Sequence, residues 1–262
     1  MVINTNLRIE AVTGMISKNR AKFIKSLQLK KFRKQEGLFV VEGGKSVLEV
    51  LQSNFTLIEL YVTSSFYAEN EFILKLAPIP VEIVSERELE MASGLQSNNA
   101  ALAVVQMPAY QFEEPVASEF ALVLDDVRDP GNLGTIIRIA DWYGIGKVYC
   151  SPETTDLFAG KVVQACMGSL TRVKVFYTAL NTLLEGYEGP VYGALLNGKN
   201  IYDERFDQGG LIVMGNESNG ISAGLLPLVS HPITIPGHGG AESLNVAVAT
   251  AIVCDNVRRP KS

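Results

Sequence analysis

The stretches LIVMGNESNGIS (residues 211–222) and ITIPGHGGAESLNVAVATAIVCDNVRR (residues 233–259) decide the fold. Each reads as a short apolar run of strand type, a glycine-rich turn and a helix start. Gly215, Gly220, Gly237, Gly239 and Gly240 stand in the two turns, where backbone without a Cβ approaches a ligand closely. Two such loops side by side make a small-molecule site. The helix after Ser243 carries Val246, Ala247, Val248, Ala249, Ala251, Ile252 and Val253 and is apolar on nearly every face, the pattern of a buried helix. Ser243 and Asn245 sit at its mouth. The plain reading makes Ser243 an N-cap and leaves Asn245 to satisfy a nearby carbonyl.

A third stretch, LDDVRDPGNLGTIIRIADWYGI (residues 124–145), repeats the order of strand, turn and helix. Leu133, Ile136, Ile137, Ala140 and Gly144 recur at helical spacing, and Arg138 falls off that stripe. The plain reading of Arg138 is a surface residue paired with Asp141 or Asp129. Upstream and downstream of this stretch, strands alternate with helices from residue 119 to the end, which predicts an α/β domain with a mostly parallel sheet.

Taken together, Asn132 with Arg138, Gly215 with Glu217 and Gly220, and Ile235-Pro236 followed by Ser243-Leu244-Asn245-Val246 resemble the three motifs of the SpoU (TrmH-type) family of RNA 2′-O-ribose methyltransferases. The resemblance implies a SPOUT fold in which the chain from Gly215 onward threads a deep trefoil knot. It implies S-adenosylmethionine as cofactor, held by backbone at Gly215, Ile235 and Leu244. It also implies catalytic roles for Asn132, Arg138, Glu217, Ser243 and Asn245, and a homodimer whose active sites draw on both protomers. Arg138 is often described as the general base in this family, yet a guanidinium is very hard to deprotonate, so alignment of the substrate is the alternative role. One departure is visible: the third motif commonly reads IPM, whereas this chain has Ile235-Pro236-Gly237.

Residues 1–107 are expected to form a separate small α/β domain, with a loose lead-in over residues 1–16 and a helix with one apolar side from Asn19. A strand LFVVEG (residues 38–43), helices over 45–52, 71–76 and 86–91, and strands over 57–62, 81–84 and 101–106 follow. The order resembles the substrate-binding domain that precedes many SpoU enzymes. Residues 108–118, with two prolines and no periodicity, read as a linker, which leaves 119–262 as the catalytic domain.

The net charge of −5 is unlike that of a nucleic-acid-binding protein, but its distribution is not. Between Lys18 and Lys34 stand eight basic residues and no acidic one, and Lys25, Lys30, Lys31, Arg33 and Lys34 are the candidate RNA contacts. The plain reading of such a run is a solvated helix face. Ribosomal RNA, 23S rRNA above all, is the expected substrate, with tRNA the alternative. A catalytically inactive RNA-binding protein on the same fold is the non-enzymatic reading.

Three scattered cysteines, no CxxC and two histidines predict neither a disulfide framework nor a metal site. Asp125-Asp126 reads as turn and cap chemistry in place of a magnesium site. With 47% hydrophobic and 19% charged residues, no secretory start and no apolar run of about 18 residues, a cytoplasmic protein without a membrane partner is expected. The sequence also lacks GxSxG and GxGxxG, which removes the serine-hydrolase and dinucleotide-binding readings.

Overall fold

The computed structural model describes residues 12–206 and 209–259. They divide into two compact units, one of the chain up to Ala109 with Phe158–Thr171, the other of Tyr110–Leu157 and the chain from Arg172.

In the first unit the order is β1 (Val12–Thr13), α1 (Lys18–Ser26), α2 (Lys30–Glu36), β2 (Leu38–Glu42), α3 (Gly44–Leu51), β3 (Leu57–Val62), α4 (Ser64–Glu69), α5 (Glu71–Leu74), β4 (Val81–Ile83), α6 (Glu86–Ala92) and β5 (Ala101–Gln106). The strands make one sheet in the order β1-β4-β3-β5-β2. β1 and β3 run parallel to β4, and β5 runs antiparallel to both β3 and β2. The lead-in therefore ends in a sheet strand, and its earlier residues lie outside those described.

The single helix expected from Asn19 is two helices with a turn at Leu27–Leu29, and the cause is Arg33. This arginine is 2% exposed and donates from Nη1 to Leu27 O at 2.8 Å and Gln28 O at 2.7 Å. Buried beneath the turn, it satisfies carbonyls that the end of α1 leaves without helical partners. Arg33 is thus a structural residue, and its assignment as an RNA contact is corrected. Arg20 is also engaged, pairing with Glu59 and lying over the Phe23 ring. Lys18, Lys22, Lys25, Lys30, Lys31 and Lys34 remain exposed. The helix expected over 71–76 is α5, ending at Leu74, and a further helix not expected from sequence, α4, precedes it; Asn70 between the two donates from its side chain to Phe66 O at 2.9 Å.

The second unit begins with β6 (Phe120–Leu124), α7 (Pro130–Trp142) and β7 (Lys147–Cys150). The chain then contributes α8 (Gly160–Cys166) to the first unit, where Phe158 lies 4.7 Å from the Phe39 ring. It returns with β8 (Lys174–Tyr177), α9 (Leu180–Glu185), β9 (Val191–Asn200), β10 (Gly210–Met214), β11 (His231–Thr234) and α10 (Val246–Arg258). Six parallel strands stand in the order β11-β9-β10-β6-β7-β8. β10 is buried along its whole length between β6 and β9, which is why it reads as an unbroken apolar run.

The start of the stretch read as a linker is fastened to this sheet. Phe112 packs edge-on to Tyr149 and Phe176, Tyr149 Oη donates to Glu113 O at 2.8 Å, and the Glu113 carboxylate faces Lys147 and Lys174. α10 packs along α7, and Arg258 donates to Tyr143 O and Gly144 O at the end of α7. α10 is not buried all round, however: Val248 is 50% exposed, and Trp142 on α7 is 84% exposed.

Candidate active site

The loops after β6, β10 and β11 leave the carboxyl ends of parallel strands, the edge at which open α/β sheets bind ligands. Asp129 caps α7, its Oδ1 accepting from Asn132 N at 2.8 Å, with Pro130 in the first helical position. This cap fixes Asn132 in the first turn.

Asn132 then joins the three sequence motifs. Its Nδ2 donates to Glu217 Oε1 at 2.5 Å, and its Oδ1 accepts from Asn245 Nδ2 at 2.9 Å. Asn245 Oδ1 accepts from Ala247 N at 2.9 Å and Val248 N at 3.3 Å and so caps α10. Chemistry forces every amide orientation in this chain: an ionised Glu217 only accepts, and the α10 N–H groups only donate. The cap of α10 is therefore Asn245, two residues beyond the Ser243 expected from sequence. Ser243 is exposed and makes no hydrogen bond among the described residues.

The second loop is held tightly. Asn216 and Gly220 exchange backbone bonds of 3.0 and 2.9 Å, with Gly220 at φ +65°. Asn216 Oδ1 accepts from Ser218 N and Asn219 N, and its Nδ2 donates to Asp126 O at 2.8 Å. A Cβ on Gly215 would lie 2.2 Å from the Gly220 carbonyl carbon, so Gly215 is required by close backbone approach. Sequence reasoning missed Asn216, although an asparagine two and three residues before N–H donors is an Asx-turn signal.

In the third loop Ile235 is half-buried and Leu244 exposed, while Gly237, Gly239 and Gly240 have open space where a side chain would stand. These bare backbones fit a ligand held by main-chain groups, and Gly237 leaves room where the family pattern has methionine. His238 is exposed in the same loop.

Arg138 is not joined to this cluster. It lies six residues beyond Asn132, about 9 Å along α7 and roughly 120° around it. Both acidic partners offered by the plain reading are occupied: Asp141 pairs with Arg172 at 2.9 Å, and Asp129 caps the helix. Among the described residues the exposed guanidinium makes no hydrogen bond or ion pair. No three metal-ligating side chains stand together among the described residues, and no helix of the described chain is long and apolar enough to cross a membrane.

A parallel sheet whose strand ends carry two glycine-rich loops, cross-tied by polar side chains to a third, defines an α/β domain built to hold a small ligand by its backbone. The chain belongs to the SpoU rRNA Methylase family, whose model matches residues 119–255, and residues 18–103 match the MRM3-like substrate binding domain. A Bacillus subtilis relative, 23S rRNA (guanosine(2553)-2′-O)-methyltransferase RlmP, is 32% identical over 89% of this chain and 94% of its own. The 23S rRNA (uridine(2479)-2′-O)-methyltransferase of Streptomyces viridochromogenes is 29% identical over 87% of this chain and 85% of its own. An AdoMet-bound rRNA methyltransferase structure from Sinorhizobium meliloti is 26% identical and superposes with a TM-score of 0.82, covering 96% of this chain and 98% of that one.

Proposed function

We propose that the protein transfers a methyl group from S-adenosylmethionine to a ribose 2′-hydroxyl of ribosomal RNA, with 23S rRNA as substrate. The observation that carries this reading is the junction at Asn132, which ties Glu217 and Asn245 from the other two motifs into one polar centre. The activities named for the two 23S relatives support the substrate, and the substrate-binding match over residues 18–103 supports an RNA-gripping first domain ahead of the catalytic one.

S-adenosylmethionine, when bound, supplies an electrophilic methyl group on a sulfonium. Backbone at Gly215, Ile235 and Leu244 would hold it. Glu217 fixes the Asn132 amide, so that Asn132 and Asn245 present set dipoles to the substrate. Arg138 stays protonated. Exposed and unpaired, it grips a phosphate beside the target ribose through its planar fork and aligns the 2′-hydroxyl. The hydroxyl proton leaves to solvent or to a phosphate oxygen.

Because Arg138 stands on a different side of α7 from Asn132, it serves the site of a second protomer in a homodimer. The apolar positions left open on α7 and α10, Trp142 and Val248, favour that pairing. The strand order favours a deep trefoil knot from Gly215 onward: β10 lies inside the sheet, β11 beyond β9, and α10 returns to α7. A cytoplasmic location fits these roles.

The test is transfer of labelled methyl from S-adenosylmethionine to unmodified total RNA, followed by separation of rRNA and tRNA and identification of the labelled nucleoside. Label on a ribose of 23S rRNA is expected. Label in tRNA would overturn the substrate, and donor binding without label in any RNA would favour the non-enzymatic reading. Alanine at Lys30, Lys31 and Lys34 together is expected to weaken RNA binding and flatten its salt dependence, by about 0.7–0.9 in log–log slope for each phosphate no longer neutralised. An unchanged slope would place the RNA elsewhere. Arg33 is kept out of this set because its loss would undo the turn it supports.

A further inference from the structure

Asp125, at the end of β6, is 6% exposed and takes no part in the cluster around Asn132. A carboxylate is costly to bury unless it is bonded. Its bond is to the second glycine-rich loop: Oδ2 accepts from Ser222 N at 2.7 Å, across 97 residues of chain, while Asp125 N donates to Met214 O at 2.9 Å. The one residue therefore grips the loop at both ends, just before Gly215 and just after Ile221. Asp126 adds a hold near the start, where its carbonyl accepts from Asn216. Asp126 has φ +57°, a conformation that turns the backbone sharply between these two grips. Between the anchors lie Gly215, whose backbone holds the donor, and Glu217, whose carboxylate orients Asn132.

We propose that Asp125 is a positioning residue for methyl transfer, setting through Ser222 the loop that carries Gly215 and Glu217. This rests on the methyl-transfer reading above and adds a residue to it. Without the Asp125 side chain the trailing end of the loop loses its anchor at Ser222, and the Asn216 bonds near its start and the Glu217–Asn132 bond are left to hold the geometry. Loss of a charged hydrogen-bond acceptor is worth about a factor of ten or more in an equilibrium, and a reacting group displaced by about 1 Å costs on the order of 100-fold in rate.

Asp125→Ala is expected to raise the dissociation constant of S-adenosylmethionine about tenfold, measured by calorimetry without RNA, and to lower kcat about 100-fold, with KM for RNA within about twofold. Asp125→Asn is the deciding companion. Its amide oxygen still accepts from Ser222 N, and its amino group takes the place of Oδ1, which bonds no described residue. It is expected to bring both quantities back to within about threefold of the parent, a rescue that a requirement for charge alone would not give. Asp125→Ala within twofold of the parent in both measurements would overturn the proposal, as would Asp125→Asn no better than Asp125→Ala. If Asp125→Ala does not fold, Asp125→Asn decides alone: retention supports the proposal, and a loss beyond about tenfold in either quantity defeats it. A parent protein that binds donor but methylates no RNA would defeat the substrate reading, and the donor constants would still decide the role of Asp125.

Discussion

Arg138→Ala is expected to lower kcat by about 100- to 1000-fold, the usual range for losing a group that orients or stabilises charge at the reacting centre, while donor affinity stays within about twofold. The expectation follows from where the guanidinium is and what it lacks. It is exposed, Asp141 on its own helix and Asp129 at that helix's N-cap are bonded elsewhere, and among the described residues it makes no hydrogen bond or ion pair with the residues that set the glycine-rich loops. A residue of that kind contributes little to stability, so a turnover defect in Arg138→Ala reports on substrate alignment and not on the fold. Donor calorimetry and single-turnover methyl transfer separate the two. Unchanged turnover would remove Arg138 from the mechanism.

The same residue tests the dimer. Mixing Arg138→Ala chains with Glu217→Ala chains makes hybrid dimers in which, if Arg138 acts across the interface, one of two sites has both residues. Random assortment then restores about a quarter of parent activity. If Arg138 served its own chain's site, every site in the mixture would lack one residue and none would recover.

The second unit is legible from sequence because its central strands β6 and β10 are apolar throughout and its loops carry glycine, asparagine and proline at turn positions. Period and punctuation agree there. What stayed hidden was set by partners far away in the chain. Arg33 looked like one more cation in a basic run, and only its bonds to Leu27 and Gln28 reveal a buried plug. Asn245 looked secondary to Ser243, since both are good caps; the bond to Asn132, 113 residues distant, selects Asn245. α10 looked wholly buried because composition does not distinguish a helix surrounded by its own chain from one with an open apolar side. In sequence Asp125 looks like turn chemistry, and its acceptor role across 97 residues has no local signature.

Gly215→Ala is expected to abolish measurable donor binding and to lower the melting temperature by several degrees. Gly215 lies outside the left-handed region, so an alanine there meets no intrinsic backbone penalty. The obstacle is crowding: the added Cβ would stand 2.2 Å from Gly220 C, 2.3 Å from Ile221 N and 2.5 Å from Gly220 O. All three are backbone atoms, which cannot rotate away as a side chain would. Relief requires opening the Asn216–Gly220 bridge, and that displaces both the backbone proposed to hold the donor and Glu217. Overpacking of this kind costs about 1–3 kcal/mol or more. Gly220→Ala is the informative contrast, because Gly220 has φ +65° and nothing within 4 Å of an added Cβ. Its cost is the left-handed penalty of about 1–2 kcal/mol, with the loop path retained. If crowding at Gly215 governs the site, Gly220→Ala keeps donor binding that Gly215→Ala loses. Comparable donor affinity in Gly215→Ala and the parent would show that the loop yields without consequence, and the backbone at Gly215 would then have no part in holding the donor.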